Sequence, residues 1–411
     1  MKTEKLGVWI FGARGAVSTC AITGAIAIAK DAATYTGMVT ALDDFEGCHL
    51  TPVENFVFGG HDIRQETLLQ SAEHLRAHDV ISHPIVAIVK DDLVKVDQNI
   101  RPGTIFNCGN TISRQATMKT LDSFMTPLQQ VRRIQDDIKE FIARNGLKKC
   151  VAIYLASTEP YPENPPAAYQ DLAQFETELA RGAQGFTAGV LYAYAAIDLG
   201  LPYVNFTPSP GNNIPALREL ALLRKVPHGG QDAKTGETLM KTVIAPLFVA
   251  RNMRVMSWEG YNMLGNRDGA VLDDPKNNES KLRNKDAQVK NLLTNSPDVH
   301  TRVRIDYVPS LDDWKTAWDF IHFRGFLDTK MMFQFIWQGC DSMLAAPLIL
   351  DLIRLLELAQ RRKETGVMKH LACFFKTPLD VSDHNFFHQM NLLQDYARAC
   401  QTKSRQKSAA V

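Results

Sequence analysis

From Gly7 to Phe206 the chain alternates short apolar runs with helical stretches. Strands each followed by a helix pair in parallel, and the helices cover both faces of the sheet. The opening unit is the clearest. Gly7-Val8-Trp9-Ile10-Phe11 reads as a strand, Gly12-Ala13-Arg14-Gly15 as a tight turn, and Ala16 to about Ala29 as an alanine-rich helix. That sequence of elements opens a dinucleotide fold, in which amides at the helix start hold a pyrophosphate. Gly12, Arg14, Gly15, Ala16 and Val17 are therefore candidate nucleotide contacts, with the Arg14 guanidinium a candidate partner for a phosphate. The turn departs from G-x-G-x-x-G, because Arg14 stands at the second glycine position. Asp43 and Asp44 also lie further along than the spacing of about 20 residues usual for a ribose-binding acid.

Further strands are expected at Thr36 to Leu42, Ile85 to Val89, Thr104 to Asn107, Cys150 to Leu155 and Tyr203 to Phe206. A helix opens at Thr126-Pro127 and carries Leu128, Val131, Ile134, Ile138 and Phe141 on one face. Another, from about Phe186 to Leu199, is apolar nearly all round and should be buried. Near Pro227 the character changes to polar loops and strand-like pieces such as Arg304 to Val308, which suggests an inserted second domain. Helices return over Phe333 to Arg362, followed by an expected strand at Leu371 to Phe375. Thr402 to Val411, basic and small, reads as a disordered tail.

The 411 residues carry a formal net charge of +1, so no bulk field draws the chain to nucleic acid or to a membrane. The most apolar run, Met343 to Leu358, includes Asp351, Arg354 and Glu357 and reads as a core helix rather than a bilayer span. Seven cysteines without a C-x-x-C pair suggest reduced thiols and a cytoplasmic setting. His61, His228 and His370 lack metal-ligand spacing, so no metal is expected. Cys108 reads as a buried thiol, because no base is placed beside it by sequence.

Lys281 and Lys285 follow a turn-rich stretch, Tyr261 to Gly269, and stand four residues apart. On a helix they would share one face, where like charge lowers the pKa of at least one. Lys376 lies among Leu371, Phe374, Phe375 and Leu379, an apolar setting that an unpaired ammonium tolerates poorly. Thr235, Gly236 and Thr238, with Lys234 adjacent, offer the hydroxyl and amide donors of an anion nest.

A series of ordered segments matches one family. Phe58-Gly59-Gly60-His61-Asp62-Ile63 resembles F-G-G-W-D-I, and Leu155-Ala156-Ser157-Thr158-Glu159 resembles T-A-N-T-E. Gly230 to Thr238 resembles G-D-D-x-K-S-G-Q-T, and Tyr261 to Gly269 resembles Y-N-H-L-G-N-N-D-G. The lysine pair fits S-K-x-x-x-K, and Tyr307-Val308-Pro309 through Asp313 and Lys315 fits Y-V-P-x-x-x-D-x-K. Asp341 to Ala345 resembles D-S-L-L-A, and Phe374 to Leu379 resembles F-F-K-x-P-L. From about Val8 to Leu379 the chain thus resembles the myo-inositol-1-phosphate synthases, NAD-dependent enzymes that cyclise glucose 6-phosphate. Gln231, Glu237, Met263 and Arg267 depart from the family pattern, and a glutamate beside a phosphate would repel it unless its side chain turns away.

The resemblance implies an α/β fold. A Rossmann-type doubly wound parallel sheet would be built from 1–237 and 342–411, with 238–341 an inserted α+β catalytic and tetramerisation domain. It implies NAD as cofactor, held by the glycine turn with Asp62, Ser157, Thr158, Asn266 and Asp268. The substrate would be a small-molecule hexose phosphate, its phosphate held by Lys234, Thr235, Gly236, Glu237 and Thr238. Lys281, as proton carrier, and Lys376, as enolate stabiliser, would face O5, while Lys285 and Lys315 would face O1. Asp232 and Asp341 would position lysines or relay protons. A homotetramer is expected. Two alternatives stay open: a cyclase of the same fold acting on another hexose phosphate such as fructose 6-phosphate, and a non-catalytic NAD-binding scaffold.

Overall fold

The computed structural model describes residues 4–120, 124–162, 164–265 and 290–408, the side chains of 402–408 excepted. Seven parallel strands form the main sheet: β1 (Leu6–Phe11), β2 (Phe56–Asp62), β3 (Ile100–Pro102), β4 (Cys150–Tyr154), β5 (Tyr203–Asn205), β6 (Pro227–Gly230) and, from late in the chain, β11 (Gly366–Val367). Their order is β11-β6-β5-β4-β1-β2-β3. The chain therefore runs outward from β1 to β3 and restarts at β4 on the other side of β1. A reversal of strand order opens a crevice at the carboxyl ends of the two central strands.

Helices cover both faces of the main sheet, and the ninth in order serves a second sheet: α1 (Ala16–Ala29), α2 (Leu68–Ala77), α3 (His83–Asp97), α4 (Asn110–Gln115), α5 (Pro127–Arg144), α6 (Leu172–Arg181), α7 (Ala188–Asp198), α8 (Pro215–Leu223), α9 (Gly236–Ala250), α10 (Asp341–Arg361) and α11 (Phe386–Ser408). The period-two alternation of β1 divides two cores. Leu6, Val8 and Ile10 pack with α1 and α10, while Trp9 and Phe11 pack with α5 and α7.

A second sheet, ordered β10-β9-β7-β8, comprises β7 (Arg254–Leu264), β8 (His300–Tyr307), β9 (Trp314–Arg324) and β10 (Lys330–Cys340). One face packs on α9, through Ile244, Ala245 and Phe248 against Trp258, Ile321 and Phe323. On the other face the directly paired Trp318 and Ile336, with Met332, are exposed.

The fold class follows the sequence, but several elements differ. Thr36 to Leu42 is not a strand. Gly37 takes a left-handed φ of 91°, and Val39–Ala41 form a short 3₁₀ turn tied to the buried Asp351 of α10. The strand beside β1 is Phe56–Asp62 instead, where Gly59 and Gly60 permit close packing against Phe141, Trp9 and Ile10. Ile85 to Val89 lies inside α3, which has Ser82 before it and proline in its first turn. Thr104 to Asn107 is irregular, with the short β3 preceding it. Phe333 to Cys340 belongs to β10, so the following helix begins only at Asp341. Leu371 to Phe375 is a 3₁₀ turn closing on Phe375, and the expected tail is helical as far as Ser408. His61 and His228 are strand residues of the core, and His370 stacks on Tyr396.

Candidate active site

The carboxyl ends of β1 and β4 open into a cleft of about 670 Å³. Gly12, Gly15, Ala16 and Val17 line it on the β1 side, Asp62 on the β2 side, and Ser157, Thr158 and Glu159 on the β4 side. Gly12 has a φ of 89°, and a Cβ there would come within 2.8 Å of the Ala156 backbone. Only glycine lets the two turns approach this closely. Among the described residues no side chain caps the start of α1, and its first turn holds no acid. Its leading amides thus face the cleft ready for an anion.

Asp62 holds this turn in shape. Its Oδ2 accepts the Arg14 amide at 2.6 Å, and Oδ1 accepts the Arg64 amide at 2.8 Å. Arg14 itself does not line the cleft, contrary to a direct phosphate role. Its buried guanidinium grips Asp97 of α3 through two hydrogen bonds, at 2.9 and 2.8 Å, and donates to the Arg64 carbonyl. A bidentate carboxylate partner satisfies guanidinium geometry better than a distant phosphate.

At the other end of the cleft two distant segments of the chain meet. The Asp232 region pairs antiparallel with the segment after the 3₁₀ turn: Gln231 N donates to the Thr377 carbonyl, Lys234 N to that of Phe374 and Lys376 N to that of Asp232. This pairing places the Lys376 ammonium 3.0 Å from Asp232 Oδ1, and both residues line the cleft. Burial alone would lower the Lys376 pKa, but Asp232, with Asp341 and Glu237 beyond it, raises it above the ordinary lysine value. Lys315, second residue of β9, lies 3.6 Å from Asp341 at the start of α10. Lys281, Lys285, Asn266 and Asp268 lie outside the described residues.

The 235–238 turn begins α9. Thr235 is its N-cap residue and lines the cleft, Gly236 takes a φ of 54°, and Thr238 is buried in the first turn. Lys234 does not join them. Its buried ammonium points to Gln389 and over the Phe386 ring of α11, where burial lowers its pKa to about 8. The Glu237 carboxylate is also buried, with Oε1 2.6 Å from the Lys241 ammonium one turn along the same helix.

Two carboxyls beside the cleft belong to the matched segments but have no role assigned by the sequence reading. Asp313 accepts the Cys340 thiol at 2.6 Å and the Ser342 hydroxyl at 2.8 Å, clamping the entry to β9 against the start of α10. Burial raises its pKa. Glu159 accepts the Gly189 amide at 2.8 Å and the Tyr154 hydroxyl at 3.2 Å, and burial pushes it up to about 7. Both are the acids of the matched segments, and that membership is the signal that could have marked them.

Residues 6–398 match the family model of the NAD-binding myo-inositol-1-phosphate synthases. The chain belongs to that family. NAD is its cofactor, and the uncapped α1 start fits its pyrophosphate. Inositol-3-phosphate synthase 1 of Bacteroides thetaiotaomicron is 33% identical over 405 residues, covering 94% of this chain and 91% of that protein. Inositol-3-phosphate synthase of Spirodela polyrhiza is 31% identical over 75% of this chain, which spans 60% of that longer relative. The solved inositol-3-phosphate synthase of Caenorhabditis elegans superposes with a TM-score of 0.85 at 24% identity, covering 97% of this chain and 86% of that one, and so shares the fold. Among the described residues no helix is long and apolar enough to cross a membrane.

Gly15→Asp tests the α1 start. Relative to glycine, a carboxylate at the N-cap stabilises the helix by only about 0.3 kcal/mol while filling the place of an anion. NAD-free thermal stability should hold or rise, and NAD affinity by calorimetry should fall at least about tenfold. Unchanged affinity would exclude this helix start as the pyrophosphate site.

Proposed function

We propose that this protein converts glucose 6-phosphate into 1D-myo-inositol 3-phosphate. The observation that carries the reading is that Lys376, Asp232 and Asp341 line one cleft with the glycine turn after β1, with Lys376 paired to Asp232 and Lys315 3.6 Å from Asp341. Closing a carbocycle needs a carbon nucleophile at C6 and an electrophile at C1, yet C6 is not acidic until C5 becomes a ketone. NAD, when bound, takes the C5 hydride and returns it after ring closure.

The chain's own residues manage charge and protons. Thr235, Gly236 and Thr238 hold the phosphate at the start of α9, with Glu237 contributing its backbone amide. Lys376 stays an ammonium at neutral pH, because Asp232 raises its pKa. It therefore stabilises negative charge on O5 as the C6 proton leaves. A preorganised cation in a dry site does this better than water. The family motif assigns proton transfer at O5 to Lys281, and charge on O1, as the aldehyde becomes an alkoxide, to Lys285 and Lys315. Asp232 and Asp341 fix the two visible ammonium groups. Asn266 and Asp268 hold the nicotinamide end beside Ser157 and Thr158.

We further propose residues 238–341 as the inserted catalytic and oligomerisation domain of a homotetramer in the cytoplasm. The open face of its sheet supports self-association: Ile336 and Met332 are 68% and 65% exposed beside Trp318. Seven free, buried cysteines suit a reducing compartment, and recovery of the protein from an oxidising compartment on cell fractionation would contradict that placement.

Lys376→Met should abolish formation of inositol phosphate from glucose 6-phosphate, followed by phosphorus NMR, while NAD binding persists. Retained turnover would refute the role of Lys376. Wild-type protein that leaves glucose 6-phosphate unchanged but transforms fructose 6-phosphate would overturn the substrate. Ile336→Asp should lower the mass by light scattering to a dimer or monomer. An unchanged tetramer would place the subunit contacts elsewhere.

A further inference from the structure

A carboxylate in the first turn of α9 conflicts with a phosphate at the same helix start. Both are anions competing for the same positive helix end. Glu237 occupies that turn, 1% exposed, so water does not screen it. Its charge is met from within the protein. Lys241 Nζ, on the next turn of the helix, sits 2.6 Å from Glu237 Oε1 and 3.5 Å from Asp319 Oδ1. Asp319, from β9, is held by the Trp258 indole N–H at 2.6 Å. The cluster is fitted against Gly260 of β7. A Cβ at Gly260 would lie 2.7 Å from Glu237 Oε1 and 2.8 Å from Lys241 Nζ, so a larger residue would displace both groups.

We infer that Lys241 is a positioning residue for substrate binding: it neutralises and holds Glu237 so that the start of α9 can receive the sugar phosphate. The inference rests on the proposed phosphate site. It explains how a glutamate stands where the family motif carries glutamine. A buried ion pair contributes little net charge to a neighbouring site, whereas a buried carboxyl that has lost its cation must either repel an incoming phosphate or first take up a proton, and both weaken phosphate binding at neutral pH. Lys241 need not touch the substrate to act this way.

The test compares Lys241→Met with Glu237→Gln/Lys241→Met in the full-length, NAD-loaded protein. Lys241→Met should raise the KM for glucose 6-phosphate about tenfold or more, with a much smaller change in kcat and NAD affinity intact. The double variant removes the charges of Glu237 and Lys241 and leaves Asp319, already pushed up to about 6 by burial, to take up a proton, so KM should return to within a few-fold of wild type. A single variant with unchanged KM, or a double variant as impaired as the single, would overturn the inference, the latter by showing that Lys241 matters only for packing. If Lys241→Met fails to fold, the double variant decides alone: a KM near wild type supports the pairing, and a tenfold rise refutes it. Thr238→Ala separates this from the phosphate site itself. If it raises KM while Lys241→Met does not, the site stands and the neutralising role falls. If neither variant moves KM, the phosphate binds elsewhere and both readings fall.

Discussion

The site depends on one pairing between distant parts of the chain. Residues 230–234, leaving the sixth strand of the main sheet, bond in antiparallel fashion to 374–379. That contact carries Lys376 to Asp232 at the carboxyl edge of the sheet. An ammonium buried among Leu371, Phe374 and Phe375 would lose its proton without a carboxylate beside it. With Asp232 in place the charge survives burial, and its field is barely screened by water. The same contact anchors the turn that starts α9, so the proposed phosphate site and the Lys376–Asp232 pair share a single support.

The two helix starts at the cleft arrange charge in different ways. The start of α1 is left open: glycine at the N-cap, no acid in the first turn, and Asp62 committed to the turn's own amides. The start of α9 carries an acid, and a lysine one turn later offsets it. Charge in this protein is handled in local pairs, which agrees with a formal net charge of only +1. Arg14–Asp97 braces the first turn, Lys315–Asp341 joins the second sheet to α10, and Lys376–Asp232 joins the late chain to the main sheet.

Much of the fold is legible in the sequence because its signals are local. The first strand, glycine turn and helix follow from apolar runs and glycine spacing, and α5 from Thr126-Pro127 at its start and its apolar face. Where the reading fails, a tertiary contact overrides the local pattern. Gly59 and Gly60 look like breakers, yet the strand needs them because Phe141 and the β1 backbone leave no room for a Cβ. Ile85 to Val89 has strand composition, but Ser82 and the proline behind it start a helix. The site shows the same division. Ordered motifs identify which residues surround the cleft, because each motif is contiguous. They do not tell where a long side chain points: Arg14, Lys234 and Glu237 are claimed by Asp97, Gln389 and Lys241. Asp97 and Gln389 lie far from their partners in sequence, and Lys241 is recognised as a partner only once the helix and its neighbouring sheet are known.

The most direct measurement is a crystal structure with NAD and an open-chain hexitol 6-phosphate, which lacks the aldehyde and so cannot cyclise. The account predicts the phosphate on the amides of Gly236 to Thr238 and O5 within hydrogen-bond distance of Lys376 Nζ. A hexitol bound with its phosphate away from α9, or with Lys376 turned from O5, would contradict it.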